Sequence, residues 1–311
     1  MADGTEKNRV RNLKTLRPRK HQQIDFFIAD EVDIVNFRDE LASMEHPFFA
    51  LKGGDTRTRE YVNGNTIIKV APNAEYGMAT IFDKDVWIYA ISKLCQAMYK
   101  DQPISRTVCF TAYDLFVTTN RNKSGRSYKE LEKALDRLAG TRITTNIQHS
   151  VDKREAIGFG LIDSWHVVEE QKGKQAVGMI EVTLPNWLYE AITRTKLLKI
   201  SQDYFRIRKA IDRRLYEIAR KHCGSQHQFQ ISLEKLHIKT GSTRDLRKFR
   251  MDIKNLSKIN DLPDYEIRYE AGKDCVIFTN RDQDSEAAQK SKLREGGKKA
   301  IFGLKKKYGF E

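Results

Sequence analysis

Cysteine is scarce in this chain and carries no pattern. Cys95, Cys109, Cys223 and Cys275 are its four thiols in 311 residues, and no two form a CxxC pair. They read as buried packing thiols of a reducing compartment, not as a disulfide framework or a zinc site. No run of 18 apolar residues exists, so no helix is expected to span a membrane. Met1 to Lys20 is polar and basic and lacks the apolar core of a signal peptide. A GxxxxGK[ST] phosphate loop is missing, and the seven histidines form neither HxH nor HExxH nor a Cys/His zinc spacing. These absences remove the apparatus of an ATPase and of a metal-dependent DNA-nicking enzyme. The expectation is a cytoplasmic protein with no catalytic residues, no cofactor and no metal.

What the chain has in excess is positive charge. Fifty-six Lys and Arg stand against 42 Asp and Glu, for a net charge of +14 and a pI near 9.5. That balance favours a polyanionic partner, of which nucleic acid is the commonest, against the blander reading of a solvated basic surface. With 40% apolar residues there is enough to build real cores. The organisation divides into a basic arm and entry segment (1–45), a first domain (46–200), a second domain (201–281) and a basic tail (282–311).

In the first domain, Phe48-Phe49 and Ile67 to Val70 suggest short strands around Gly-rich turns. Asp83 is a good N-cap for a core helix carrying Val86, Trp87, Ala90, Ile91, Leu94 and Met98. A strand at Val108–Phe110 leads to Thr111, which can cap a short helix ending near Thr119. A turn from Asn120 to Gly125 separates it from a second helix, Arg126 to Leu138, closed by Gly140. Strands at Thr141–Gln148 and about Ala156–Val168 follow, then a strand from Gly178 to Leu184 and a helix from Trp187 to Leu198 that links the domains.

The pattern restarts after Ile200. A long amphipathic helix from Phe205 to Cys223 carries Ile207, Ile211, Leu215 and Ile218 on one face. Ser232 caps a short helix, Thr240-Gly241-Ser242 turns, and a second helix runs from Thr243 to Ile259. Two strands follow, Tyr265–Tyr269 and Cys275–Thr279. Helix, turn, helix and ribbon, twice over, is the order of tandem winged helix-turn-helix domains of the α+β class with small antiparallel sheets.

At about 100° per residue, the second helix of each pair has one apolar and one cationic side. In the first, Tyr128, Leu131, Leu135 and Leu138 oppose Arg126, Lys129, Lys133 and Arg137, with Glu130 intruding. In the second, Leu246, Phe249, Ile253 and Leu256 oppose Arg244, Arg247, Lys248, Lys254 and Lys258, with Met251 among them. A helix laid in the major groove requires that division, although a single basic stripe is usually only solvated. Arg244 and Arg247 are the candidates for guanine contacts, and the lysines for phosphates. Lys123 in the first turn, and Lys153, Arg154 and Lys273 at the ribbon turns, suit backbone contacts.

Several strings also carry a family resemblance. "SMEHPFFAL", "REYVNGN", "GMATIFDKDVWIYAISKL", "FTAYDLFVTTNR", "YKELEKALDRLAGTRITTNI", "RRLYEIARKHCG", "ISLEKLHIKTGS", "LRKFR" and "LPDYEI" together resemble the plasmid replication initiator protein A family, from about Gln22 to Arg281. The resemblance implies binding to repeated double-stranded DNA sites at a plasmid origin, local strand opening, and recruitment of host initiation proteins and helicase. It further implies interconversion between a repressing homodimer and an initiating monomer. It assigns no role to the basic ends. A transcriptional repressor of the same architecture is the alternative.

Overall fold

The computed structural model describes residues 16–17, 26–28, 48–63, 66–150, 153–172, 175–194, 198–224 and 226–282. Most of the basic arm and the tail after Asp282 lie outside the described residues. The elements are β1 (Phe26–Ile28), β2 (Arg59–Asn63), β3 (Thr66–Ala71), α1 (Lys84–Tyr99), β4 (Thr107–Thr111), α2 (Ala112–Thr118) and α3 (Gly125–Gly140). Then come β5 (Arg142–Ser150), β6 (Lys153–Gly160), β7 (Ser164–Lys172), β8 (Gln175–Thr183), α4 (Asn186–Arg194) and β9 (Leu198–Ile200). The last group is α5 (Ala210–His222), β10 (Gln228–Ser232), α6 (Leu233–Thr240), α7 (Leu246–Ile259), β11 (Tyr265–Glu270) and β12 (Cys275–Asn280). No described helix is long and apolar enough to cross a membrane.

Two groups of elements share one plan. β4 precedes α2 and α3, and β10 precedes α6 and α7; the sheet orders are β4-β8-β7 and β10-β12-β11, both antiparallel. In each, the strand before the helix pair is zipped to the last strand of the hairpin after it. The first group has one addition. The β5–β6 hairpin stands between α3 and β7, and it joins β2–β3 in a separate sheet of order β2-β3-β5-β6.

Local chemistry explains the boundaries. Thr111 accepts the Asp114 N–H and Ser232 the Lys235 N–H, so both helices start as their sequences indicate. Asp83 stands at the N-cap of α1, as expected, but its backbone is already helical and its side chain makes no cap hydrogen bond. Its carboxylate accepts the Thr80 N–H at 2.7 Å while Thr80 Oγ1 accepts the Asp83 N–H at 3.3 Å, a reciprocal capping box one turn earlier. Gly140 is the last residue of α3, not a left-handed cap; a Cβ there would fall 2.2 Å from the Asn73 side chain. Gly241, at φ 65°, does make the left-handed stop after α6.

Other boundaries differ from the sequence reading. The strand expected from Ala156 to Val168 is broken, because Leu161 and Ile162 turn into the core and the Leu161 carbonyl accepts the Trp87 indole N–H at 2.9 Å. The helix after Pro185 is no linker. Trp187 packs 4.7 Å from Phe159 and 6.3 Å from Trp87 between ring centroids, and Leu188 and Ile192 are buried. Phe48 and Phe49 are core residues in a bend and not a strand. The long helix starts at Ala210, after a short turn of 3-10 helix at Tyr204–Arg206, and β10 has no counterpart in the reading above.

α1 is buried almost all round, which places it at the centre. Its first turn meets α5 through charge. Lys84 Nζ lies 3.1 Å from Glu217, with side chains 1% and 4% exposed. Asp85 binds Arg213, both 2% exposed. Arg121, from the turn between α2 and α3, takes the other Asp85 oxygen at 2.9 Å. Tyr204 donates its hydroxyl to Glu217 at 2.6 Å, and Arg214 also reaches Glu217 at 3.1 Å. The Arg213 guanidinium lies over the rings of Phe82 and Tyr204, at 4.6 and 5.1 Å. The arm is fastened here as well: Leu16 bridges Ile207, and the Arg17 N–H donates to the Arg206 carbonyl at 2.8 Å.

This seam generates two predictions. Removing one member of a buried pair strands the other, so Asp85→Ala should cost about 3–5 kcal/mol in urea unfolding. Asp212, in the first turn of α5, is 5% exposed and makes no hydrogen bond to a described residue. Burial, with Asp261 and Asp252 nearby, outweighs Lys209 and pushes its pKa from 3.8 to about 6. A raised carboxyl pKa means the folded state binds the extra proton, so stability falls as pH rises from about 4 to 6. Asp212→Asn should flatten that segment of the stability–pH curve and stabilise the protein at pH 7, by on the order of 3 kcal/mol.

Candidate nucleic-acid interface

The second helix pair presents the cleaner cationic surface. Phe249, Ile253 and Leu256 of α7 face inward and are buried. Arg247, Met251, Lys254 and Lys258 share the opposite side at helical spacing and are exposed. Asp245 caps the helix, accepting the Lys248 N–H at 2.8 Å. Arg247 therefore stands in the first turn, where a groove-reading helix usually contacts base edges. Arg247 and Lys258 have no ion-pair partner among the described residues. Lys254 lies over the Tyr269 ring at 5.3 Å, which ties its stem towards β11.

Arg244 sits differently from its place on the wheel. α7 begins at Leu246, so Arg244 lies before the cap and not within the helix. Its guanidinium pairs with Asp252 at 3.1 Å, and its carbonyl is bonded to His237 Nε2 at 2.7 Å. Arg244, Asp252 and Asn255 line a cleft of about 640 Å³ that Asp55 and Arg59 of the first group close from the other side. This flank of α7 is turned towards the seam. Lys248 pairs with Asp245 at 3.2 Å, and Lys273 with Glu270 at 3.3 Å; both lysines stay about two-thirds exposed (64% and 67%).

Arg250, on the flank, grips Asp274 through two bonds of 3.1 and 2.9 Å, and Tyr269 donates to the same carboxylate at 2.6 Å. The Arg250 guanidinium is the main cause holding the Asp274 carboxyl below its ordinary pKa. Asp274 has left-handed backbone, φ 44°, at the turn between β11 and β12. The hairpin tip is thereby fixed to the helix, carrying Lys273 with it.

The first pair is mixed. α3 buries Leu131, Ala134, Leu135 and Leu138 and exposes Arg126, Lys129 and Lys133. Lys133 is loosely paired with Glu130, at 3.8 Å. Arg137 leaves the outward stripe: its guanidinium makes two 2.7 Å bonds to Asp83, and its side chain is 15% exposed. That pairing raises the Arg137 pKa and anchors α3 to the start of α1. Lys123 is exposed above the Tyr113 ring, at 4.7 Å. Lys153 and Arg154 open β6, opposite Ser150 and Gln148. Their side chains lie outside the described residues.

Residues of consequence that carry no local signal are Arg121 and Arg213, whose acidic partner is in α1, and Arg17, indistinguishable in sequence from its basic neighbours. Asn255, exposed beside Met251 on α7, was also not singled out. Among the described residues no group of three His, Cys, Asp or Glu is placed to hold a metal ion.

Comparison with known proteins bears on this geometry. The family model "Replication initiator protein A" matches residues 38–267. A "Putative replication protein" of Wigglesworthia glossinidia brevipalpis is 58% identical over 265 residues, covering 85% of this chain and 96% of that one. Among solved structures, domains 2 and 3 of RctB superpose with a TM-score of 0.52 at 14% identity, covering 74% of this chain and 93% of that one. A selenomethionine form of the same two domains gives 0.55 at 12% identity, covering 75% and 94%. These structures share the fold. The family match and the relative's identity carry more: the chain belongs to the replication initiator protein A family.

Proposed function

We propose that this initiator binds repeated duplex sites at a plasmid origin through two winged-helix units, opens the adjacent strands and recruits the host's initiation proteins and helicase. The observation that carries the reading is the repeated plan of strand, helix pair and zipped hairpin, with an exposed cationic helix, α3 or α7, in each copy. α7 is the base-reading helix, since Arg247, Lys254 and Lys258 keep an outward cationic face around Met251. α3 is the backbone anchor, since Arg137 is consumed by Asp83 and Glu130 interrupts the rest. The protein works in the cytoplasm by binding, with no reaction of its own, and exchange between dimer and monomer sets whether it represses or initiates.

Footprinting on DNA flanking the gene should reveal directly repeated sites. Arg247→Ala should weaken the matched site by about 1–3 kcal/mol at fixed salt and relax selectivity at one base pair, as loss of a guanine contact does. Lys258→Ala should weaken matched and unrelated duplexes alike. On a supercoiled origin, a single-strand-specific chemical probe should detect opening of an AT-rich segment once the protein is bound. Binding without opening would make the protein a repressor of the same architecture.

A further inference from the structure

The seam holds a second cationic feature. A pocket of about 540 Å³ opens between the start of α3, the Phe82–Asp85 segment and α5, and five arginines line it. Three are spoken for: Arg121 and Arg213 on Asp85, and Arg137 on Asp83. Arg17 and Arg126 have no side-chain partner among the described residues. Arg17 is held in place by its backbone alone, its N–H on the Arg206 carbonyl and its carbonyl accepting from Arg206 Nε at 2.6 Å. Its guanidinium makes no ion pair with a described residue, and burial with the neighbouring charges of Arg213, Arg208 and Arg121 outweighs the attraction of Asp85 and lowers its pKa. The Ser124 hydroxyl, at the entrance to α3, bonds to Ser127 Oγ and not to a helix N–H. Two guanidiniums with no ion-pair partner among the described residues and two hydroxyls thus line one concave place, where the one carboxylate not already held by an arginine, Glu130, is turned loosely to Lys133 at 3.8 Å.

We propose that this pocket is a clamp for one backbone phosphate of duplex DNA, gripped by Arg17 from the N-terminal arm and Arg126 from α3. The clamp rests on the DNA-binding reading above and adds to it a site built from both halves of the chain. Its position fits a backbone track: Arg126 belongs both to the pocket and to the exposed row with Lys129 and Lys133. A strand following α3 towards its N-terminus passes over the pocket mouth. Guanidinium forks suit phosphate oxygens, and such contacts position the duplex without reading sequence.

The test is the salt dependence of duplex binding by the full chain. Arg17→Ala with Arg126→Ala should lower the slope of log K against log salt by about 0.9, the value of one phosphate. The loss should be equal on matched and unrelated duplexes. The double Lys variant should restore the slope, because a lysine also neutralises phosphate. Neither guanidinium has an ion-pair partner among the described residues, so the thermal midpoint should stay unchanged. A wild-type slope in the double Ala variant, where Arg247→Ala still weakens the matched site, would overturn the clamp and leave the DNA reading intact. Calorimetry with inorganic phosphate and a 5′-mononucleotide forms the other arm. Mononucleotide binding lost in the double variant, with duplex binding unaffected, would assign the pocket to a free phosphate compound and also overturn the clamp. Absence of duplex binding by the wild-type chain would remove both readings.

Discussion

Lys84, Asp85, Arg213 and Glu217 are paired acidic and basic side chains that water barely reaches, and the arrangement of the two halves follows from their need for one another. An unpaired charge in such surroundings costs several kcal/mol, so α1 and α5 are bound to a single relative placement in which each charge finds its opposite. Well-packed apolar residues could hold two helices together as firmly. What charge adds is exactness of register: a slide along the helices separates both pairs at once. Around this fixed point the core runs without interruption from Phe48 to Phe278. α3 is tied to it by Arg137 on Asp83, and α7 borders the cleft that Asp252 and Asn255 share with Phe82 and Ala210.

The helices and their faces were legible because side-chain periodicity is a local property. Thr111 and Ser232 cap as their positions suggest, and the strands at Tyr265 and Cys275 fall within a residue of expectation. Features that depend on distant partners were not legible. Asp83 stands at the cap position its residue type suggests, yet its carboxylate goes to Thr80 and Arg137, and Arg137 lies 54 residues away. The break at Leu161 depends on the indole of Trp87. Trp187 looked like part of a linker because its ring partners are remote in sequence. The β5–β6 hairpin read as a wing because it directly follows α3. Its pairing with β3 shows that the hairpin equivalent to β11–β12 comes next, in β7–β8.

The same distinction applies to the interface. A helical wheel assigns the side a cation occupies but not whether a carboxylate has already claimed it. Arg126, Lys129, Arg247 and Lys258 keep the exposure that spacing gives them, whereas Arg137 and Arg244 are drawn to Asp83 and Asp252. Arg244 was displaced for a second reason: an aspartate cap at Asp245 starts the helix later than Thr243. Arg244, before the cap, is held at the Asp252 flank, whereas Arg247, Lys254 and Lys258 on α7 stay exposed around Met251.

The Asp85–Arg213 pair also bears on how the chain matures as it leaves the ribosome. The partners are 128 residues apart, so although Arg121 follows Asp85 by 36 residues, α1 is complete long before the buried guanidinium of Arg213 exists. At typical elongation rates of about 5–20 residues per second, that interval is on the order of ten seconds. During it Lys84, whose partner Glu217 lies 133 residues on, must stay hydrated, and the first half cannot close its final surface. The first half therefore reaches its final form only when α5 emerges and supplies Arg213 and Glu217.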